Sequence, residues 1–169
     1  MKKASKIIGY ILNTLIVLVI IVIILAIYYF VQINVLNKPY ANIFGYTFFE
    51  VATGSMEPTI HVGDVIIVKI TNDIEENDII VCKENNSFIT HRLLEIQDDK
   101  LITKGDANNT EDEPMDRANL IGEVVNIIPN FSLWKKVIFA PQVIIPIFLM
   151  IIFLCVVCFL KDKKSKEVE

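Results

Sequence analysis

Tyr46-Thr47-Phe48-Phe49-Glu50-Val51-Ala52, then Thr53-Gly54-Ser55-Met56-Glu57-Pro58-Thr59, then Asp64-Val65-Ile66-Ile67-Val68-Lys69-Ile70 stand in the middle of the chain. An apolar β-type run, a turn heptapeptide and an alternating run read as one strand leaving into a tight turn that leads towards the next strand. Gly54 is expected to free the backbone at the turn and Pro58 to fix φ shortly after, so that the Ser55 hydroxyl is held in one orientation. A serine presented in this way is a candidate nucleophile. It is also ordinary turn chemistry until other residues join it.

Working outward, further β-type runs follow at Asp78 to Cys82, Ser87 to Gln97, Leu101 to Lys104 and Leu120 to Ile128. They are separated by Thr71-Asn72-Asp73, Glu84-Asn85-Asn86 and Asp98-Asp99, which are turn chemistry. No helical period is sustained there. The expected fold class is mainly β: a small, antiparallel, partly closed domain over residues 45–130, folded on itself to protect its edges. About a hundred residues support one core of modest size.

The two ends have a different solvent. The chain of 169 residues is 53% hydrophobic, with a mean hydropathy of +0.51. The excess is terminal. Ile7 to Val31 is interrupted only by Asn13 and Thr14 and reaches about 38 Å as a helix, enough to cross a bilayer with some tilt. The run is longer than a secretory h-region, and no small-x-small site follows it before Tyr28-Tyr29-Phe30, so it reads as a retained anchor. Val143 to Leu160 is a second uncharged run near the minimum crossing length. Lys2, Lys3 and Lys6 before the first run, and Lys161, Lys163, Lys164 and Lys166 after the second, place both termini in the cytoplasm.

The expected organisation is a cytoplasmic start (1–6), a first transmembrane helix (7–31), a linker (32–44) and an extracytoplasmic β domain (45–130). A juxtamembrane segment (131–142), a second transmembrane helix (143–160) and a cytoplasmic tail (161–169) complete it. Lys135 and Lys136 run against the charge rule and are read as snorkelling beside an interfacial Trp134. The outer segment has about eight more acidic than basic side chains, so it offers no footprint for nucleic acid. Cys82 stands alone in that segment. Cys155 and Cys158, inside the second apolar run, are read as small packing residues and not as a metal or redox pair.

Two histidines are available. His61 precedes the turn pair Gly63-Asp64 and reads as a surface residue. His91 lies within Phe88-Ile89-Thr90-His91-Arg92-Leu93-Leu94, where a polar side chain must face solvent or find a partner. The loop Lys104-Gly105-Asp106-Ala107-Asn108-Asn109-Thr110-Glu111-Asp112-Glu113-Pro114 supplies acids. Its alternate oxygens at Asp106, Asn108, Thr110 and Asp112 invite comparison with a calcium loop, but the sixth position is not glycine and the twelfth is Arg117. No metal or cofactor is called for. Serine, histidine and aspartate in one domain permit nucleophilic catalysis: imidazole accepts the hydroxyl proton and returns it to the leaving amine, while a carboxylate fixes its tautomer.

The ordered set Gly54-Ser55-Met56-Glu57-Pro58-Thr59, Gly63-Asp64-Val65-Ile66-Ile67-Val68, Thr90-His91-Arg92, Gly105-Asp106-x-Asn108-x-x-x-Asp112 and Ile121-Gly122-Glu123-Val124-Val125 resembles the type I signal peptidases. A histidine where the bacterial branch has lysine is the mark of the ER-type branch, which also occurs in archaea and Gram-positive bacteria. The resemblance implies Ser55 as nucleophile, His91 as general base, Asp112 as the third member and Asp106 as a supporting or alternative acid. It assigns the oxyanion hole to Thr53 and Ser55. It implies a membrane-bound serine endopeptidase that removes signal peptides from secretory precursors after small-x-small sites. The Ile-, Asn- and Lys-rich composition leans towards an AT-rich bacterium and so towards the plasma membrane, with the ER membrane the place in a eukaryote. An extended substrate would add to strand edges lined by Phe49, Val51 and Ile80. Accessory membrane subunits are conceivable partners beside the lipid bilayer. A catalytically silent relative that binds precursors or partner proteins through the same domain is the alternative. The second apolar run departs from the simplest ER-type pattern, and some members of the family carry such a C-terminal span.

Overall fold

The computed structural model describes residues 2–153 other than 86, 139 and 147. Residues 154–160 of the second expected span, with Cys155 and Cys158, and the expected tail 161–169 lie outside the described residues. Helix α1, Lys2–Phe30, continues through a π-helical turn at Val31–Val35. Its stretch Gly9–Val35 is long and apolar enough to cross a membrane. The helix therefore runs past Val31, where the apolar run ends in the sequence.

The segment after α1 is fastened down. Gln32, 3% exposed, uses its amide twice, donating from Nε2 to the Asn42 carbonyl and accepting the Asn42 N–H at Oε1. Asn42 in turn accepts the Gly45 N–H on its side chain. A buried amide with both ends paired avoids a desolvation cost. It also ties the end of α1 to the first strand of the β domain.

Seven strands form one antiparallel sheet: β1 Tyr46–Glu50, β2 Val65–Ile70, β3 Ile79–Glu84, β4 Ser87–Gln97, β5 Lys100–Lys104, β6 Met115–Asp116 and β7 Leu120–Ile128. Their spatial order is β1-β2-β7-β3-β4-β5-β6, so the last long strand is inserted between β2 and β3. A short 3₁₀ turn, Arg117–Asn119, precedes β7. Ladder breaks at Ile67/Val68, Val81/Cys82 and Leu93/Glu95 bend the strands.

The expectation of a partly closed domain is corrected here. The order ends in β1 and β6, and no ladder among the described residues joins them. The sheet curls without closing. Phe49 of β1 and Phe88 of β4 have ring centroids 4.6 Å apart, and Tyr40 packs edge-on against both. Side-chain packing holds these edges together while their backbone groups stay unpaired.

Strand alternation divides the core. Met56, Ile60, Ile66, Val68, Val81 and Ile121 form one buried cluster, and Ile74, Ile80, Cys82, Leu93 and Leu101 the other. Neighbours on β3 go to opposite clusters, as a period of two requires. Met56 and Ile60 are almost wholly buried and anchor the turn that carries Ser55. The base of that turn is closed by Val51 N–H to the Asp64 carbonyl and Gly63 N–H to the Val51 carbonyl, both at 2.9 Å.

Helix α2, Phe131–Ile138, follows β7, and α3, Pro141–Phe153, leaves it at 51°. Among the described residues, the two reach spanning length if the bent pair counts as one span. Asp64, 3% exposed, accepts the His61 N–H at 2.9 Å and the Asn130 N–H at 2.8 Å. It therefore joins the base of the serine turn to the start of α2. Asp64→Ala leaves both donors unpaired, and a loss of about 1–3 kcal/mol in denaturant unfolding of the full chain is expected.

Candidate active site

Ser55 follows β1 in the turn sealed by Met56 and Ile60. Gly54 has no positive φ; the glycines with positive φ are Gly45 and Gly63. Space is tight at Gly54 for another reason, because an added Cβ would sit 3.2 Å from the Glu57 carboxylate.

The constraint that shapes the turn comes from the loop after β5. Ala107 donates its N–H to the Ser55 carbonyl at 2.9 Å, and a Cβ placed on Gly105 would lie 2.6 Å from the same oxygen. Only a residue without a side chain lets the two backbones approach this closely.

His91 comes from the middle of β4, paired with Ile80 of β3. Its Nε2 lies 3.2 Å from Ser55 Oγ, and its Nδ1 lies 2.5 Å from Asp112 Oδ2. Thr103, wholly buried on β5, donates its hydroxyl to the same Asp112 oxygen at 2.7 Å, and its carbonyl accepts the Asp112 N–H at 2.9 Å. The three side chains, separated by 36 and 21 positions in the chain, meet in one line. The imidazole is nearly buried and the Asp112 side chain a quarter exposed, so the group borders solvent at one end. The Thr53 hydroxyl lies 3.5 Å from Ser55 Oγ.

Asp106 is placed differently. Its carboxylate takes both Nε and a terminal nitrogen of Arg92, at 2.9 and 2.7 Å, and the Thr59 hydroxyl at 2.5 Å. The fork-to-fork geometry is the strong form of an Arg–carboxylate contact. The Arg92 hydrogen bonds hold the Asp106 carboxyl below the usual carboxylate range against an opposing effect of burial, with Thr59 and the neighbouring charges adding to the depression. The same contact raises the Arg92 guanidinium. Arg92 also donates to the Asn77 carbonyl. Asp106 thus links β4 to the serine turn through Arg92 and Thr59, while Asp112 is the acid hydrogen-bonded to His91.

Thr59 and Arg92 stand in the quoted motifs without an assigned role, and Thr103 stands outside them. Thr103 was accessible to sequence reading: Leu101 and Thr103 fall on the same inward face of β5, and a hydroxyl there must find an acceptor. Cys82 is buried in the second core cluster, and burial pushes its thiol up to about 12, away from the thiolate form. Among the described residues no cluster of His, Cys, Asp or Glu is grouped to hold a metal ion.

A groove of about 610 Å³ runs past this group. Its walls are Phe49 to Thr53 on one side and Ser87 to His91 on the other, with Met56, Ile60 and Ile66 at its floor and Asn108 at the serine end. Phe49 and Val51 line it. Ile80 does not: it is 1% exposed in the second core cluster, and the facing wall is β4. The reason is strand length. β5 pairs with β4 only from Arg92 onward, which leaves the edge of Ser87 to His91 free. β1, at the end of the sheet, has a free edge too.

The sequence model of the family described as Peptidase S24-like matches residues 32–125. That stretch is more than half of the chain and contains every side chain of the group just described. The chain belongs to the Peptidase S24-like family. Within this peptidase family it is a type I signal peptidase-like protein: over 78 residues it is 41% identical to "Signal peptidase I W" of Bacillus subtilis (strain 168). The alignment covers 41% of this chain, and the chain spans only 41% of that relative's length.

Two expectations follow from the packing. Gly105→Ala must push the loop off the Ser55 carbonyl, and a loss of about 1–3 kcal/mol by thermal or denaturant unfolding is expected. For Asp106, whose folded carboxyl titrates below its unfolded value, the Arg92 contact contributes its full stability above the unfolded range near pH 4 and loses it as pH falls through the folded value. Unfolding midpoints measured across acid pH should therefore converge for the wild type and Asp106→Asn, and separate again towards neutrality.

Proposed function

We propose that the chain is a membrane-bound serine endopeptidase that removes N-terminal signal peptides from secretory precursors. The observation that carries the reading is the approach of His91 Nε2 to Ser55 Oγ at 3.2 Å while Nδ1 faces Asp112. With Asp112 accepting from Nδ1–H, the Nε2 lone pair points at the serine hydroxyl. His91 takes that proton as Ser55 attacks the scissile carbonyl, then gives it to the departing amine, and water releases the acyl group by the reverse sequence. Asp112 holds the tautomer and stabilises the imidazolium, and Thr103 holds Asp112.

The oxyanion is assigned to the Ser55 backbone N–H with the Thr53 hydroxyl beside it. Asp106 serves as a structural acid that keeps the serine turn against β4. The two free edges flanking the groove fit an extended peptide, and the aromatic and aliphatic floor leaves shallow room for small side chains. Residues 7–31 and 143–160 are proposed as spans with both termini cytoplasmic, which puts the groove outside the plasma membrane. A tether of this kind raises the effective concentration of a scissile bond emerging at the same surface.

The test is processing of a precursor with a small-x-small site by the full chain reconstituted in vesicles. Ser55→Ala and His91→Ala are expected to lower kcat/KM by roughly 10⁴ to 10⁶-fold, and Asp112→Asn by about 10⁴-fold. Activity of the wild type should fall on the acid side, because a protonated imidazole accepts no proton. Equal processing by wild type and Ser55→Ala would remove hydrolysis at this serine and leave binding without cleavage.

A further inference from the structure

Helix α2 is bound to the β domain along one side only. Ser132 donates its N–H to the Gly63 carbonyl at 2.9 Å, and Lys135, one turn on, reaches the Glu50 carboxylate at 2.7 Å. Gly63 has φ +87°, and a Cβ there would lie within 2.4 Å of the Ser132 hydroxyl, so α2 sits directly on the backbone of that turn. Glu50 and Gly63 are the two flanks of the loop that carries Ser55. α2 is therefore fastened to the base of the serine loop, and a shift of one moves the other.

Among the described residues, nothing covers the opposite side of α2. Leu133, Trp134, Val137 and Ile138 are 58, 60, 59 and 51% exposed, and their spacing of one and four positions puts them on one face. Four large apolar side chains open to water on a two-turn helix are costly. Lys136 has no acidic partner among the described residues and lines a recess of about 480 Å³ at the elbow between α2 and α3. Trp and Lys beside an apolar face are the chemistry of the boundary between lipid tails and headgroups. Helix α3 follows, and its side chains Ile144, Ile145 and Phe148 to Phe153 are also exposed and apolar.

We infer that α2 lies flat in the outer leaflet of the bilayer that α1 crosses, with its apolar face in the acyl boundary and Lys136 among the headgroup phosphates. Because α2 is joined to Glu50 and Gly63, the leaflet sets the height of Ser55 above the membrane. The inference rests on the proposed topology and gives the proposed peptidase a depth gauge. Its occupant is lipid, and a second copy of the chain or a partner protein would be a different answer.

Trp134 is the single tryptophan of the chain, so its emission reports on α2 without a label. The full-length protein is placed in vesicles whose lipids carry bromine either near the headgroup end or near the terminal methyl of the acyl chain, with iodide as the aqueous quencher. Strong quenching by the shallow bromines, weaker quenching by the deep ones and little by iodide is the expected result. Quenching by iodide alone would overturn the inference, and so would protection from all three, which would put protein over the face. A Leu133→Glu, Val137→Glu variant should gain iodide access. It should also cleave a detergent-solubilised peptide at the wild-type rate while processing a vesicle-embedded precursor more slowly. Equal slowing on both substrates would contradict the gauge, whereas a wild type inactive on both would count against the peptidase reading and leave the fluorescence result standing.

Discussion

One backbone contact governs the site: the Ser55 carbonyl resting on Ala107 N–H, with Gly105 too close to admit a side chain. It pins the turn where Ser55 Oγ lies 3.2 Å from His91 Nε2. The loop from Gly105 to Asp112 supplies the pin, and its far end supplies the acid. Neither half could move without the other, since Asp106 in the same loop is forked onto Arg92, the neighbour of His91 on β4. The residue after the imidazole, the acid before the pin and the hydroxyl of Thr59 form a second polar group at the back of the first. It carries no proton in the proposed chemistry. It fixes the distance over which the proton moves.

The open sheet serves the same end. A ladder closing β1 against β4 would consume the two edges that flank the groove, so packing of Phe49 on Phe88 replaces it. The core is divided by β3, with Val81 on one side and Ile80 and Cys82 on the other, so the groove has an apolar floor that belongs to the first cluster. The flanking helices join the domain through fixed contacts: the Gln32 amide on Asn42 after α1, and Asp64 on Asn130 before α2.

Much of this was legible in the residues. The runs Ser87 to Gln97 and Leu120 to Ile128 coincide with β4 and β7 because alternation and flanking turn residues agree there. Strands β1 to β3 and β5 shift at their ends by one or two residues, where turn hydrogen bonds compete with ladders. The two-residue β6 left no periodic trace. The meeting of Ser55, His91 and Asp112 followed a resemblance, since spacing alone could not choose between Asp106 and Asp112; the choice depends on which acid Arg92 occupies. Ile80 lies in the second core cluster and not on the groove, whose wall facing Phe49 and Val51 is β4; which strand stands opposite depends on how far β5 extends along β4, and that leaves no periodic trace. Curling with open edges was equally hidden, being decided by aromatic contacts between residues 39 positions apart, Phe49 and Phe88.

The central claim is that the Ser55 oxygen forms a bond with the acyl group of the substrate. Rapid acid quenching of the full chain reacting with an ester peptide that ends in a small-x-small sequence, followed by peptide mass analysis, tests it directly. The account predicts an acyl adduct on Ser55 that fails to form in His91→Ala. Hydrolysis at an undiminished rate by Ser55→Ala, or an adduct on any other side chain, would contradict it.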